Sequence, residues 1–127
     1  AETAYPVKPI RLIVPFATGG GTDIVSRVMA QKVGDLFKQA VVVDNRGGAG
    51  GVIGMEMSVR AAPDGYTLLM APSGPLVMNV VMRKSIPYDP IKNFSPIPQV
   101  SGKVVMKDES IIYQVSRSFC IFCPITL

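Results

Sequence analysis

The chain has 127 residues, 48% of them hydrophobic and 17% charged, with a formal net charge of +4. That length suits one domain, and the apolar content supports a packed core rather than a disordered chain. Histidine and tryptophan are absent and no basic run exceeds Arg83-Lys84, which removes the commonest general base and metal ligand and argues against a nucleic-acid partner; no run is long and apolar enough to span a bilayer.

The opening Ala1-Glu2-Thr3-Ala4-Tyr5-Pro6 is small and polar, as a mature N-terminus after signal cleavage is. Tyr5 to Pro9 reads as an extended lead-in, because each proline disfavours helix at the residue before it. Ile10 to Phe16 is a predicted strand, with Leu12, Ile13 and Val14 buried on both faces. Pro15 lacks an N–H for the ladder, so pairing should stop there. The turn Phe16-Ala17-Thr18-Gly19-Gly20-Gly21 follows, and a helix is predicted from Thr22 to about Phe37, capped by Thr22 or Asp23. Its apolar positions Ile24, Val25, Val28, Met29, Val33, Leu36 and Phe37 include two i, i+4 series, Ile24/Val28 and Val25/Met29/Val33/Phe37.

Ala40 to Asp44 is a second strand rich in β-branched residues. Asn45 to Gly51 is a second glycine-rich turn, and a helix from Val52 to Ala62 follows with Val52, Met55 and Val59 on one face. Pro63-Asp64-Gly65 closes it. Tyr66 to Met70 is a third strand, Ala71 to Pro75 a third turn, and Leu76 to Val81 a short helix. Such alternation predicts an α/β fold, a parallel sheet with flanking helices and right-handed crossovers. All three turns then fall at the carboxyl ends of the strands, the edge at which open α/β sheets bind ligands. Beyond Lys84 the chain is punctuated by prolines. Val100 to Met106 suits a strand, and Ser110 to Leu127 has no clear period.

A strand, a glycine turn and a helix N-terminus can hold an anion, since unpaired N–H groups point outward there and the helix dipole favours negative charge. Tight strand-to-helix turns are also glycine-rich for purely steric reasons, and the residues alone leave both readings open. Asp23 would repel a bound anion unless its oxygens are occupied by backbone N–H groups. The dinucleotide pattern G-x-G-x-x-G fails at both turns, with Ile24 and Ile53 where glycine is required, and no phosphate-cradling G-x-x-x-x-G-K-[ST] occurs. Cys120 and Cys123 form a C-x-x-C with no second pair and a proline directly behind it, which suits neither a zinc site nor a redox motif. Ser73 has no histidine to activate it, and no G-x-S-x-G is present. Binding through turns is left as the stronger functional class, ahead of catalysis.

The blocks Tyr5 to Phe16, Gly19 to Asp23, Val41 to Arg46, Gly48 to Gly54, Ala62 to Leu69 and Pro87 to Pro90 together resemble the tripartite tricarboxylate transporter substrate-binding proteins, the Bug receptors, from about Tyr5 to Val100. The resemblance implies part of the first domain of a periplasmic binding protein of the type II kind. Such a protein captures a small carboxylate (a di- or tricarboxylate, an acidic amino acid or an aromatic acid) and delivers it to membrane permease subunits, with no catalytic residue and no cofactor. It implies that the turn Phe16, Ala17, Gly19, Gly20, Gly21, Thr22 and Asp23 holds a ligand carboxylate through backbone N–H groups and ordered waters. Gly48, Ala49, Gly50, Ser73 and Gly74 would line the same wall. The family usually has proline where Thr18 and Gly47 stand, which would loosen the turns here. Members also run well beyond this length, and Lys107 to Leu127 does not resemble them. The expectation is a solute-binding part over residues 1–103 and an atypical tail over 104–127. Carboxylate binding by this chain alone would then be weak or absent, and its open sheet edges would favour self-association. A non-binding fragment or a dimerising interaction protein is the alternative.

Overall fold

The computed structural model describes residues 5–72, 74–96 and 119–124, the last six and residues 95–96 by backbone alone. Strand β1 spans Ile10–Val14, helix α1 Gly21–Phe37, β2 Val41–Asn45, α2 Val52–Val59, β3 Thr67–Pro72, α3 Asn79–Met82, β4 Phe94–Pro96 and β5 Phe119–Pro124. A 3₁₀ turn, Ala49–Gly51, leads into α2, and a π turn, Gly74–Met78, leads into α3.

The sheet order is β2-β1-β3-β5-β4. β1 pairs in parallel with β2, Leu12 opposite Val43, and with β3, Leu12 opposite Leu68. The three-strand parallel core therefore forms as the alternation predicts. The far side differs: β3 pairs antiparallel with β5, and β5 antiparallel with β4. The sheet is mixed, and β5 covers the β3 edge that the sequence leaves open. The expected strand over Val100–Met106 lies outside the described residues.

Successive side chains of a strand point to opposite faces, and the core divides accordingly. Leu12, Val14, Ala30 and Met70 form the cluster on the α1 side. Ile13, Met55, Leu69, Ala71, Tyr88 and Phe94 form the other, on the α2 side. The chain runs from β1 to β2 on one side and returns across β1 to β3 on the other. Two right-handed crossovers in opposite directions place α1 and α2 on opposite faces. The crevice at such a reversal opens outside the carboxyl ends of β1 and β3.

Helix α1 corrects the expected packing. Its buried residues are Asp23, Ser26, Ala30 and Val33, while Ile24, Val28, Leu36 and Phe37 are exposed. Of the two predicted series, Met29 and Val33 of the longer one pack inward as expected, while Ile24 and Val28 face solvent. The small Ser26 and Ala30 share the packed face, because they let the helix approach the sheet closely. Ser26 is fully buried and donates its hydroxyl proton to the Thr22 carbonyl at 2.6 Å. In α2, by contrast, Met55 is buried and Val52 and Val59 pack against its cluster, as the spacing predicts. That helix ends at Val59, short of Ala62.

Candidate functional site

The three turns after β1, β2 and β3 converge at one end of the sheet, held together by close backbone approaches and side-chain hydrogen bonds. The first turn begins where Pro15 stops the ladder. Phe16 is half-buried, Ala17 to Gly21 are exposed, and Gly19 adopts φ 90°, which lets the chain turn sharply into α1. Gly20 is the N-cap residue, and no side chain caps it. The Ile24 N–H makes the opening helical bond, to the Gly20 carbonyl at 3.1 Å. The N–H groups of Gly20, Gly21, Thr22 and Asp23 precede that bond, and helix geometry gives them no partner within α1.

Asp23 departs from its expected role as the residue at the helix boundary. It lies inside the first turn of α1 and reaches back, accepting the Gly19 N–H at 2.9 Å. Its side chain is only 3% exposed. The same carboxylate accepts Arg27 Nε at 3.0 and 3.1 Å and Asn45 Nδ2 at 3.0 Å. The Gly19 N–H, followed by the Arg27 guanidinium, holds the Asp23 carboxyl below the usual carboxylate range. Its oxygens thus face protein donors, and its position in the turn is that of a brace.

The second turn is tied to the first. Asn45, at the end of β2, donates Nδ2 to the Phe16 carbonyl at 3.1 Å, and the Arg46 N–H reaches the Val14 carbonyl at 2.8 Å. A Cβ on Gly47 would stand 3.1 Å from Ala17 N, so the absence of a side chain lets the two turns touch. Asp44 accepts Arg46 Nε at 2.8 Å and Arg11 Nε at 2.7 Å, which anchors the start of this turn to the sheet. Burial pushes the Asp44 carboxyl up, and the bonds from Arg11 and Arg46 more than offset it, leaving it lowered.

The third turn holds the second. Arg83 Nη2 donates to the Ala49 carbonyl at 2.8 Å, and Asn79 Nδ2 to the Gly50 carbonyl at 3.0 Å. Gly48, Ala49, Gly50 and Gly51 all have positive φ, and a Cβ on Gly51 would lie 2.5 Å from the Pro75 ring. A Cβ on Gly54 would lie 2.7 Å from Pro15. Of the residues expected in the site, Phe16, Ala17, Gly19, Gly20, Gly21, Thr22 and Asp23 form the first turn. Gly48, Ala49 and Gly50 form the second, and Gly74 begins the third; Ser73 lies outside the described residues.

Sequence reasoning missed the side chains that join these turns: Arg27, Asn45, Asn79 and Arg83. A signal existed for one pair, since Asp23 and Arg27 stand four apart in a helix, the spacing of an ion pair. No comparable local signal exists for the others. Among the described residues, no cluster of acidic and cysteine side chains could hold a metal, and no helix is long and apolar enough to cross a membrane.

Residues 25–110 match the model of the tripartite tricarboxylate transporter family receptor. Protein BugT of Bordetella pertussis is 46% identical over 97 residues, covering 76% of this chain and 30% of that protein. Two solved structures superpose on the fold. The periplasmic binding protein BugD has a TM-score of 0.70 at 42% identity, over 73% of this chain and 31% of that one. MatC from Rhodopseudomonas palustris, with bound malate, has a TM-score of 0.70 at 34% identity, over 73% of this chain and 32% of that one. The chain thus spans about a third of the length of the relatives it matches. With the family model covering most of the chain, and with the fold of a periplasmic binding protein beneath it, the chain belongs to the tripartite tricarboxylate transporter family receptors.

Proposed function

We propose that the converging turns are one wall of a receptor site for a small organic acid, held as its carboxylate in the periplasm for delivery to transporter permease subunits. The observation that carries this reading is the first turn. It presents backbone N–H groups at the start of a 17-residue helix, at the carboxyl edge of the parallel strands. Malate on MatC supports a dicarboxylate, and the family description supports a tricarboxylate. The helix dipole contributes roughly 0.3–1 kcal/mol at an exposed site, so several N–H bonds to one carboxylate carry most of the affinity. Gly20, Gly21 and Thr22 are the donors in this reading, with Phe16 and Ala17 shaping the approach. Gly48, Ala49, Gly50, Ser73 and Gly74 form the flank, within a solute-binding part over residues 1–103. These turns by themselves enclose little of a ligand, so their own share of the affinity is weak. Amide-resolved NMR titration with malate and with citrate tests this. The expected result is a saturable response at Gly20, Gly21 and Thr22 with millimolar affinity; a response spread over the surface, or none, refutes it.

A second reading rests on a different surface. Val81 and Met82 in α3 are 78% and 74% exposed, and Val77 and Met78, directly before that helix, are exposed as well. Exposed apolar residues gathered near α3 suit a partner or a second copy. Sedimentation across a concentration series separates the two: a stable dimer whose melting ignores malate favours the interaction module.

A further inference from the structure

An anion at the first turn would meet a buried aspartate in the opening turn of α1. Asp23 is 2% exposed and carries a full negative charge where the proposed ligand is also negative. Three observations resolve the conflict. Arg27 Nε lies within 3.1 Å of both Asp23 oxygens. Arg27 Nη2 donates to Asn45 Oδ1 at 3.1 Å. Asn45 Nδ2 divides between Asp23 Oδ1 at 3.0 Å and the Phe16 carbonyl at 3.1 Å. The ring is closed: aspartate, arginine and asparagine each touch the other two, and together they hold both Phe16 and Gly19.

We infer that Asp23, Arg27 and Asn45 are a positioning unit that locks the first glycine turn before any ligand arrives and cancels the Asp23 charge beneath it. None of the three touches the ligand in this account. The inference rests on the organic-acid reading above. Asp23 takes up the Gly19 N–H, which fixes the left-handed residue of the turn and leaves the donors of Gly20 to Thr22 for the carboxylate. A buried carboxylate stays ionised only when its oxygens are hydrogen-bonded and its charge is balanced. Arg27 supplies that balance. A neutral ion pair leaves the positive end of the helix as the local field, which attracts an anion.

A purely structural ion pair and a charge-cancelling one differ in a pattern of variants. Malate is titrated onto the chain and its variants, with the Gly20, Gly21 and Thr22 amides as readout and the Val14 and Leu69 amides as a check that the sheet is intact. Arg27→Gln uncovers the Asp23 charge and is expected to weaken binding roughly tenfold, the effect of one unit charge about 6 Å away in a dielectric between protein and water. Arg27→Lys keeps the charge and much of the affinity. The double variant Asp23→Asn/Arg27→Gln removes both charges, retains an acceptor for the Gly19 N–H and recovers affinity. A double variant as weak as Arg27→Gln, or Arg27→Gln binding like the wild type, overturns the inference. A ligand-free measurement separates it from the receptor reading. Gly19 amide exchange should be slow in the wild type and fast in Asn45→Ala. That result without any malate response supports the locking and refutes the receptor; fast Gly19 exchange in the wild type refutes the locking whether or not malate binds.

Discussion

Replacing Gly54 by alanine tests whether α2 is fixed against the end of β1, which is what sets the second turn beside the first. A Cβ at this position would lie 2.7 Å from both Pro15 Cα and Pro15 Cβ and 2.9 Å from the Arg46 carbonyl oxygen. Comfortable carbon contacts need about 3.5–4.0 Å, so the helix must retreat by about 1 Å. None of these neighbours is the free end of a flexible side chain. Retreat is resisted by Met55, fully buried in the cluster of Ile13 and Leu69. Overpacking of this kind costs about 1–3 kcal/mol. The gain in helix propensity from glycine to alanine is at most about 1 kcal/mol. The clash wins, and a net loss of about 1–2 kcal/mol is expected. At about 4–8 °C per kcal/mol for a domain of this size, melting falls by roughly 5–15 °C. Thermal and urea unfolding followed by circular dichroism provides the measurement. Gly21→Ala is the control, because its Cβ would meet nothing within 4 Å; it should be neutral or slightly stabilising. A Gly54→Ala chain as stable as the wild type would show that α2 has room to move, and that Pro15 does not position the second turn.

Gly51→Ala combines a φ of 92° with a Cβ 2.5 Å from the Pro75 ring; a loss of roughly 2–4 kcal/mol is expected in urea unfolding, and a loss below that of Gly54→Ala would contradict the stated geometry. Tyr88 is 5% exposed and donates its hydroxyl proton to the Pro75 carbonyl at 2.6 Å, so Tyr88→Phe should cost about 1–2 kcal/mol of unfolding free energy, read as a lower urea midpoint at unchanged m, while an unchanged midpoint would mean that the carbonyl finds water. The acid limb of stability follows from three aspartates held below their ordinary value of 3.8: Asp23 by the Gly19 N–H and then Arg27, Asp44 by Arg11 and Arg46 against the upward push of burial, and Asp89 by the N–H groups of Lys92 and Ile91. A lowered folded value stabilises above the unfolded one and is lost as pH falls through the folded one. The urea midpoint should therefore hold from about pH 7 to pH 5 and decline from about pH 4 downward; a midpoint flat to about pH 2.5 would refute it.

The parallel core was legible because β-branched runs end in glycine turns and alternate with helical segments. Strand β1 ends at Val14, before Pro15, as a missing N–H requires. From that alternation alone the three turns fall at one edge. The packed face of α1 was only partly legible: Met29 and Val33 pack inward as their spacing predicts, but Ile24 and Val28 satisfy the same spacing and face solvent. β5 could not be read locally either. Phe119–Pro124 pairs with β3, some fifty residues earlier, and such pairing leaves no periodic trace in a short segment. The role of Asp23 was half legible: its oxygens do take a backbone N–H, but from inside the helix. Asn45 looked like a turn residue after a strand, and only folding brings it to Phe16 and Asp23.

The most direct test is a crystal of this chain soaked in malate. Backbone amides of Gly20 to Thr22 should lie within hydrogen-bond distance of a malate carboxylate, with Gly19 still bound to Asp23. Malate seated elsewhere at full occupancy, or only water at those amides under saturating malate, would contradict the account.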